Sequence, residues 1–137
     1  MQTFLPYPSF TQSALVLDRQ RLGKQRVEAL QIIFALTKEN YGWKNHPAVK
    51  MWKNHVPALA KYGIIICDEW IKRGYKDSTR EKFLVYTSNK NIDLPNWIGD
   101  CDFHKAHQSK LLSKKPDWYT KFNWDVPNDL PYIWPSV

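Results

Sequence analysis

The sequence predicts an all-α protein. Apolar residues recur at helical spacing in two long stretches, and helix-capping signals stand near the ends of those stretches. The chain has no internal repeat, low-complexity segment or linker, and 137 residues is an ordinary size for one domain. We therefore predict one compact domain over residues 1–137, with three to four main helices, an extended N-terminal arm and an aromatic C-terminal tail.

The first part of the chain is predicted to form the arm and a long helical stretch. Residues 1–8 contain two prolines and are expected to be extended. Ser9 and Gln12 have capping-box spacing, so a helix is expected to start nearby and to run to about Lys38. Its apolar stripe has spacings of seven, four and three and consists of Leu22, Ala29, Ile33 and Leu36. Gly23 is expected to mark the close approach of another backbone.

A loop over residues 39–47 is predicted to precede a short helix near 48–54 and a longer helix near 56–72. The longer helix must hold Pro57 in its first turn or at a kink, and Gly74 is expected to cap its end. Its apolar face, with spacings of four and three, consists of Trp52, Val56, Leu59, Gly63, Ile66 and Trp70.

The rest of the chain is less regular. Residues 76–103 are polar and predicted to be irregular, with a helix from Lys82 to Tyr86 as an alternative. A last helix is expected over His104–Ser113. The aromatic tail from Pro116 is expected to wrap over the helices.

The charge of the chain favours a nucleic-acid partner. Lys and Arg outnumber Asp and Glu by 20 to 13, which gives a net charge of +7 and a pI of about 9.4. Such a surplus favours binding to polyanions through counterion release, and it suits RNA as well as DNA. Aromatic residues make up 15% of the chain and suit either a core or base stacking.

Missing motifs argue against several common classes of function, including nucleotide-driven chemistry and zinc-dependent hydrolysis. The sequence lacks a Gly-rich phosphate loop, an HExxH motif, a paired CxxC and a nucleophile elbow. Cys67 and Cys101 match no zinc spacing and are expected to be reduced and buried. The sequence therefore predicts neither nucleotide-driven chemistry nor zinc-dependent hydrolysis. The N-terminus lacks the features of a signal peptide and no run is long enough for a membrane span, which predicts a cytoplasmic protein, or a nuclear one in a eukaryotic host. We further expect a nucleoid-associated monomer.

The densest polar cluster covers residues 18–28. Arg21, Lys24 and Glu28 share one helical face at spacings of three and four. One interpretation is a solvated face with an ordinary Lys24–Glu28 pair. The other is catalytic, because breaking an N-glycosidic bond builds positive charge on the sugar, and a nearby carboxylate stabilises that charge. An amine that attacks C1′ then forms a Schiff base. An α-amino group, with an ordinary pKa of ~8, is more readily neutral than lysine.

Three segments resemble one family of repair enzymes. Arg19-Gln20-Arg21-Leu22, followed six residues after Leu22 by Glu28, resembles the early helix of the phage-type pyrimidine-dimer DNA glycosylases of the endonuclease V class. Residues 71–75 (Ile-Lys-Arg-Gly-Tyr) and 115–119 (Lys-Pro-Asp-Trp-Tyr) resemble two later segments of that family in the same order. The chain is also similar to a bacterial branch of this family, through residues 45–49 and its Leu-Pro-Tyr-x-Trp-Pro end.

The resemblance implies an all-α fold whose arm threads between helices, with glycosylase and abasic-site lyase activity on duplex DNA and no metal. By position, Glu28 matches the catalytic acid, and His46 matches a histidine after the first helix. Other residues match the DNA-binding segments of that family or are cations that we expect to bind phosphates. They are Arg19, Arg21, Lys24, Arg26, Lys72, Arg73, Lys115, Trp118 and Tyr119. The phage members expose an N-terminal threonine after Met removal and use its amine as the nucleophile. Here Gln2 is too large for ordinary Met removal, so the expected nucleophile is the Met1 amine, with Lys24 as the alternative.

Other residues leave alternatives open. His104 and His107 lie at i and i+3 and are predicted to bind phosphate, although a proton relay, a metal site or a structural role also fits the spacing. Trp118 and Tyr119 lie among lysines and suit DNA contact or packing. The remaining tail aromatics are expected to staple the helices, although they also suit stacking on a flipped base.

The sequence therefore predicts a DNA repair N-glycosylase, with or without lyase activity, acting on damaged or modified bases such as pyrimidine dimers. The alternatives are a non-catalytic module that binds distorted or modified nucleic acid, and a different base-editing or RNA-directed enzyme on the same scaffold.

Overall fold

A computed structural model of the chain describes residues 1–87 and 92–135. Within those residues the structure has seven α-helices, one short 3₁₀ helix over Thr120–Phe122 and no strand, so the all-α prediction is confirmed. The helices are α1 (Phe10–Val16), α2 (Arg19–Thr37), α3 (Pro47–Lys50), α4 (Val56–Lys72), α5 (Arg80–Leu84), α6 (Cys101–Lys114) and α7 (Pro116–Tyr119). None of the helices in the described ranges has both the length and the apolar character needed to span a membrane.

The core forms mainly between α2 and α4, which make the most extensive helix pairing, while α1 and α5 pack on α4. Large side chains fill it, among them Trp52, Tyr62, Phe83 and Phe103, each 0% exposed. Burying a side chain of this kind contributes about 1.5–3 kcal/mol to stability, so the core fixes how α2 faces the rest of the molecule.

The two caps that the sequence predicts are present. Ser9 caps α1, because its Oγ accepts a hydrogen bond of 3.1 Å from the Gln12 amide. Gly74 follows α4 with a φ of 97°, and its amide donates to the Ile71 carbonyl at 2.9 Å. The Tyr75 amide donates to the Trp70 carbonyl at 3.3 Å, which completes a Schellman motif.

The single long helix predicted up to Lys38 is wrong, because the chain is extended at Leu17 and Asp18 between α1 and α2. The buried Asp18 carboxylate accepts hydrogen bonds from the Tyr119 hydroxyl and from the Arg21 guanidinium at 3.1 Å. The Asp18 amide also donates to the Tyr119 hydroxyl at 2.9 Å. These contacts with a distant residue hold the backbone outside a continuous helix.

Other predicted boundaries also shift. The short helix expected near 48–54 is only α3, with Pro47 in its first turn. The stretch 76–103 contains α5 and the start of α6, and its residues 88–91 lie outside the described residues. The last helix starts at Cys101 rather than His104, because the Asp100 side chain accepts a hydrogen bond of 3.0 Å from the Asp102 amide and caps it there.

Two expectations about small residues need correction. Gly23 faces the Trp70 ring and not another backbone, since a Cβ at this position would lie 3.0 Å from the indole. Both cysteines are free as expected, but only Cys67 is buried, and Cys101 is exposed at the start of α6.

The C-terminal tail wraps over the helices as predicted, up to residue 135, and its last two residues lie outside the described part. The Trp118 indole N–H donates to the Val16 carbonyl at 2.8 Å. The Trp124 indole N–H donates to the Tyr7 hydroxyl at 2.9 Å, and the Leu130 amide donates to Ser109 Oγ at 3.0 Å. The tail therefore holds α1, the N-terminal arm and α6 together.

Candidate active site

The N-terminal arm (residues 1–8) lies along α2 and brings the start of the chain to Glu28. The Gln2 amide donates to Glu28 Oε2 at 3.3 Å. The Phe4 amide donates to Gln25 Oε1 at 2.9 Å, and Gln25 Nε2 donates to the Gln2 carbonyl at 2.9 Å. Because Met1 immediately precedes Gln2, these bonds place the first residue beside the carboxylate.

Three other parts of the fold hold the arm. The Trp52 indole N–H donates to Thr3 Oγ1 at 3.0 Å, and Gln108 Nε2 of α6 donates to the Pro6 carbonyl at 2.9 Å. The Tyr62 hydroxyl of α4 lies 2.9 Å from the Phe4 carbonyl. Burial raises the pKa of Tyr62 well above its ordinary value, so its hydroxyl stays protonated and remains a donor.

Two histidines of α6 bind the arm at Leu5. The Leu5 amide donates to His107 Nδ1 at 3.0 Å. The Gly99 amide donates to His104 Nε2 at 2.9 Å, so the proton of this imidazole is on Nδ1, which donates to the Leu5 carbonyl at 2.8 Å. Burial lowers the pKa of His104, and burial together with the neighbouring His104 lowers the pKa of His107 to about 3. Both imidazoles are therefore neutral near pH 7.

This burial corrects the role predicted for His104 and His107. Their exposed fractions are 4% and 0%, and both rings are occupied by the arm backbone. In this conformation neither ring reaches a DNA surface, so we assign both to anchoring the arm. The burial favours the structural role that the spacing also allowed over the predicted phosphate contact.

The neutral state of His107 predicts a pH-dependent stability. Its folded pKa of about 3 lies below the ordinary value of 6.5, so the unfolded chain binds more protons between these values. The contribution of His107 to the free energy of unfolding is therefore expected to be complete above pH 7 and to decrease as the pH falls below 6.5. Urea denaturation at pH 7 and pH 5 measures the loss. Burial acts to raise the pKa of Asp77, but hydrogen bonds from Thr79 and Arg26 lower it to about 2, so it titrates below this window.

The control is the His107→Asn variant, whose side-chain oxygen can accept the Leu5 amide without titrating. We expect its stability to change less between pH 7 and pH 5 than that of the parent chain. An equal loss in both proteins would show that His107 is not the responsible group.

A small cavity of about 280 Å³ contains both Met1 and Glu28. Its remaining lining residues are Gln2, Phe4, Gln20, Arg21, Lys24, Lys114 and Tyr132. No ion pair joins Lys24 to Glu28 in the described parts of the chain, whereas Arg21 pairs with Asp18 at 3.1 Å. The surface pair considered for Lys24 and Glu28 is therefore not formed, and the ammonium and the carboxylate both line the cavity.

A wider open cleft of about 720 Å³ adjoins the small cavity, and Glu28 and Lys24 line both spaces. Arg19 and Lys115 line it, and Trp70 forms part of its wall. The predicted cations Arg19, Lys24 and Lys115 are thus brought together around Glu28.

Other predicted DNA-binding residues have partners within the protein. Arg26 pairs with Asp77 at 2.5 Å and lies over the Trp70 ring at 4.4 Å. Arg73 pairs with Glu69 at 2.7 Å and donates to the carbonyls of Ala14 and Leu15, which end α1. These two arginines hold elements of the fold together, so a contact with DNA is not needed to explain them.

Of the predicted DNA-contact residues near the C-terminus, some are buried and others lie at the surface. Tyr119 is 0% exposed and hydrogen-bonds to Asp18. Because it is buried, the structure does not support its predicted contact with DNA. Trp118 is half-buried, and the Lys121 ammonium lies 3.4 Å from the centre of its ring. Lys72 is exposed but lines a groove with α1 instead of the cavities at Glu28.

His46 lies near the candidate site. It caps α3, with its Nδ1 accepting the Ala48 amide at 3.0 Å. Burial lowers its pKa, the charge of the N-terminal amine lowers it further, and Glu28 raises it.

Two residues of the site were not predicted as functional. Gln25 is 1% exposed and contacts both the arm and Glu28. Its position three residues before Glu28 is the sequence feature that could have indicated this contact. Tyr132 was expected to hold the helices together, with base stacking as the alternative, and it also lines the small cavity. Nothing in the local sequence of the tail indicates that contact.

The arrangement supplies an amine, a carboxylate and several cations in adjoining spaces. Within residues 1–87 and 92–135, no group of three or more His, Cys, Asp or Glu side chains is placed to hold a metal ion. The cations suit a phosphate backbone, and the carboxylate suits a positively charged sugar.

A family model described as pyrimidine dimer DNA glycosylase matches residues 1–82 of the 137-residue chain. The matched segment contains the arm, α2 with Glu28, and α4. Comparison with curated proteins gave no match, and comparison with solved structures gave none. The similarity to a bacterial branch stays a prediction.

Proposed function

The chain belongs to the pyrimidine dimer DNA glycosylase family, and we propose that it excises damaged or modified bases such as pyrimidine dimers from duplex DNA and cleaves the resulting abasic site. The observation that carries this proposal is the hydrogen bond from the Gln2 amide to Glu28 at 3.3 Å. It brings the Met1 end of the chain and the carboxylate into one cavity, which suits attack by an amine beside a stabilising acid.

In the proposed glycosylase step, the Met1 amine attacks C1′ of the damaged nucleotide. The C1′–N bond breaks, and the base leaves with the bonding electrons and takes up a proton. Glu28 stabilises the positive charge that develops on the sugar, a kind of electrostatic contribution that is large when the charges are fixed in advance. The amine nitrogen loses a proton, the C1′–O4′ bond breaks as O4′ takes up a proton, and a Schiff base then joins the Met1 nitrogen to C1′.

In the proposed lyase step, Glu28 takes a proton from C2′. The electrons form the C2′–C3′ double bond, and the bond from C3′ to its phosphate oxygen breaks. Water then hydrolyses the Schiff base and releases the amine. The reaction needs no oxidant, no metal and no cofactor.

The proposed DNA surface is the charged rim of both cavities. Lys24 contributes to both spaces, Lys114 to the small cavity, and Arg19 and Lys115 to the wide cleft. Arg19 and Lys24 are exposed, so their charges are available to phosphates. His46 is proposed to act beside the amine, within range of its proton.

Borohydride trapping on a duplex with one abasic site tests the proposal. Intact-mass spectrometry first establishes that Met1 is retained, and peptide mapping then locates the reduced adduct. We expect a covalent adduct at Met1. The Lys24→Arg variant keeps the charge but removes the primary amine, and we expect it to form the same adduct.

An adduct at Lys24 would contradict the assignment of the nucleophile. If a tightly bound duplex gave no adduct and no damaged base were released, the protein would be a binding module for distorted DNA. Tight binding to RNA and not to duplex DNA would contradict the substrate class.

A further inference from the structure

The buried amide of Gln25 bonds to the arm and to Glu28 at the same time. Its Nε2 donates to the Gln2 carbonyl at 2.9 Å and to Glu28 Oε2 at 3.1 Å. Its Oε1 accepts the Phe4 amide at 2.9 Å and lies 2.7 Å from the Tyr62 hydroxyl. Each hydrogen-bonding position of this amide therefore faces a partner, and the single Tyr62 hydroxyl proton is shared between Gln25 Oε1 and the Phe4 carbonyl.

The partners fix which way the amide points. Phe4 offers an N–H and Gln2 offers a carbonyl, so Oε1 must face Phe4 and Nε2 must face Gln2. The side chain thus pairs with alternate residues of the arm as a neighbouring strand would. The second Nε2 proton is then directed at Glu28.

We infer that Gln25 is a positioning residue that sets the terminal amine and the Glu28 carboxylate relative to each other. This inference rests on the proposed function. Two arm bonds fix the register of residues 2–4, and the second Nε2 contact fixes the carboxylate. A shift of either group therefore requires the same amide to give up a hydrogen bond while it stays buried, and leaving a buried polar group unpaired is unfavourable.

Retention of the arm alone does not explain this geometry. Thr3, Leu5 and Pro6 are already held by Trp52, by the two α6 histidines and by Gln108. Each of those bonds holds an arm residue without a hydrogen bond to Glu28. Gln25 is the described residue whose one amide bonds both to the arm and to the carboxylate.

The Gln25→Glu variant tests the inference, because it keeps the size of the side chain and removes both N–H donors. We expect the single-turnover rate of adduct formation on an abasic duplex to fall by about 10²-fold, the scale of a misplaced reacting group. Duplex affinity should stay within a few-fold. The ratio of variant to parent rates should rise as the pH is lowered from 8 to 6, because a protonated carboxyl regains one donor.

The Tyr62→Phe variant is the matched control. It removes a hydrogen bond to the same network but leaves both Nε2 bonds, so we expect a smaller loss of rate and no change of the ratio with pH. Thermal denaturation at each pH gives the folded fraction, by which each rate is corrected. A corrected rate for Gln25→Glu within about three-fold of the parent, less than the ~0.7 kcal/mol of a weak hydrogen bond, would overturn the inference.

Amide hydrogen exchange separates this inference from the proposed function. The Gln2 amide should exchange faster in Gln25→Glu than in the parent, because the variant loses the Nε2 bonds to the Gln2 carbonyl and to Glu28, the acceptor of the Gln2 amide. The Phe4 amide keeps a carboxylate oxygen as its acceptor, and the Gln2 amide should be unaffected in Tyr62→Phe. If the parent forms no adduct, the proposed function fails, and the exchange result still decides whether Gln25 fixes the arm. Unchanged exchange in Gln25→Glu would overturn the positioning role by itself.

Discussion

The Glu28→Gln variant is expected to lose base excision and strand cleavage by on the order of 10²–10⁴-fold, the usual contribution of a catalytic acid or base. The amide cannot carry the negative charge that stabilises the sugar, and it cannot take the C2′ proton. Its oxygen still accepts hydrogen bonds, so the contacts from the Gln2 amide and Gln25 Nε2 are retained. The fold and the position of the arm should therefore survive the change.

Single-turnover assays on two duplexes measure this loss, one with a pyrimidine dimer and one with an abasic site. Binding is measured separately at fixed salt, because affinity for DNA depends strongly on ionic strength. We expect duplex affinity within a few-fold of the parent or slightly tighter, since a negative charge is removed. The control is Glu39→Gln, which makes the same charge change at an exposed position outside both cavities. Activity that survives in Glu28→Gln would refute the assignment.

Local patterns were sufficient to predict the main helices. The bounds of α4 agree with the periodicity of its apolar face, and the cap at Ser9 agrees with its spacing from Gln12. The break at Asp18 was not predicted, because it depends on Tyr119, a residue 101 positions away. Local propensity carries no information on such a contact.

The candidate site was predicted in part for the same reason. Glu28 and Lys24 share a helical face, so their approach follows from spacing alone. His107, Arg26 and Tyr119 have the residue types expected of a DNA surface, but each is paired with a distant part of the chain. A sequence does not show whether a polar side chain is bonded internally or faces solvent, because that depends on the tertiary packing of elements far apart in the chain.

Gln25 and Tyr132 illustrate the converse. Neither residue type suggests catalysis, yet both contact the groups that line the small cavity. Their roles depend on where the arm and the tail cross α2. Those crossings are set by anchors such as the α6 histidines at Leu5 and the Trp124 bond to Tyr7.

Acetylation of the Met1 amine is expected to reduce borohydride trapping by at least about 10²-fold, because an amide nitrogen is not a nucleophile that forms Schiff bases. The arm should remain in place, since its bonds begin at the Gln2 amide and do not use the Met1 amine. A chain with one added N-terminal glycine is a second test. It keeps a free amine but moves it by up to about 3.5 Å, which is enough to lose the aligned geometry.

The two variants together distinguish the nucleophile from its surroundings. If acetylation and extension both abolish the adduct while duplex affinity stays within a few-fold, the reacting amine is the one beside Glu28. If the acetylated protein still forms an adduct, a lysine reacts, and Lys24 is the first to examine because it lines the same cavity. If base release continues without an adduct, water and not the amine attacks C1′, and Glu28 then acts on an oxygen nucleophile. The requirement for a free amine at the first residue therefore decides whether base excision and strand cleavage share one intermediate.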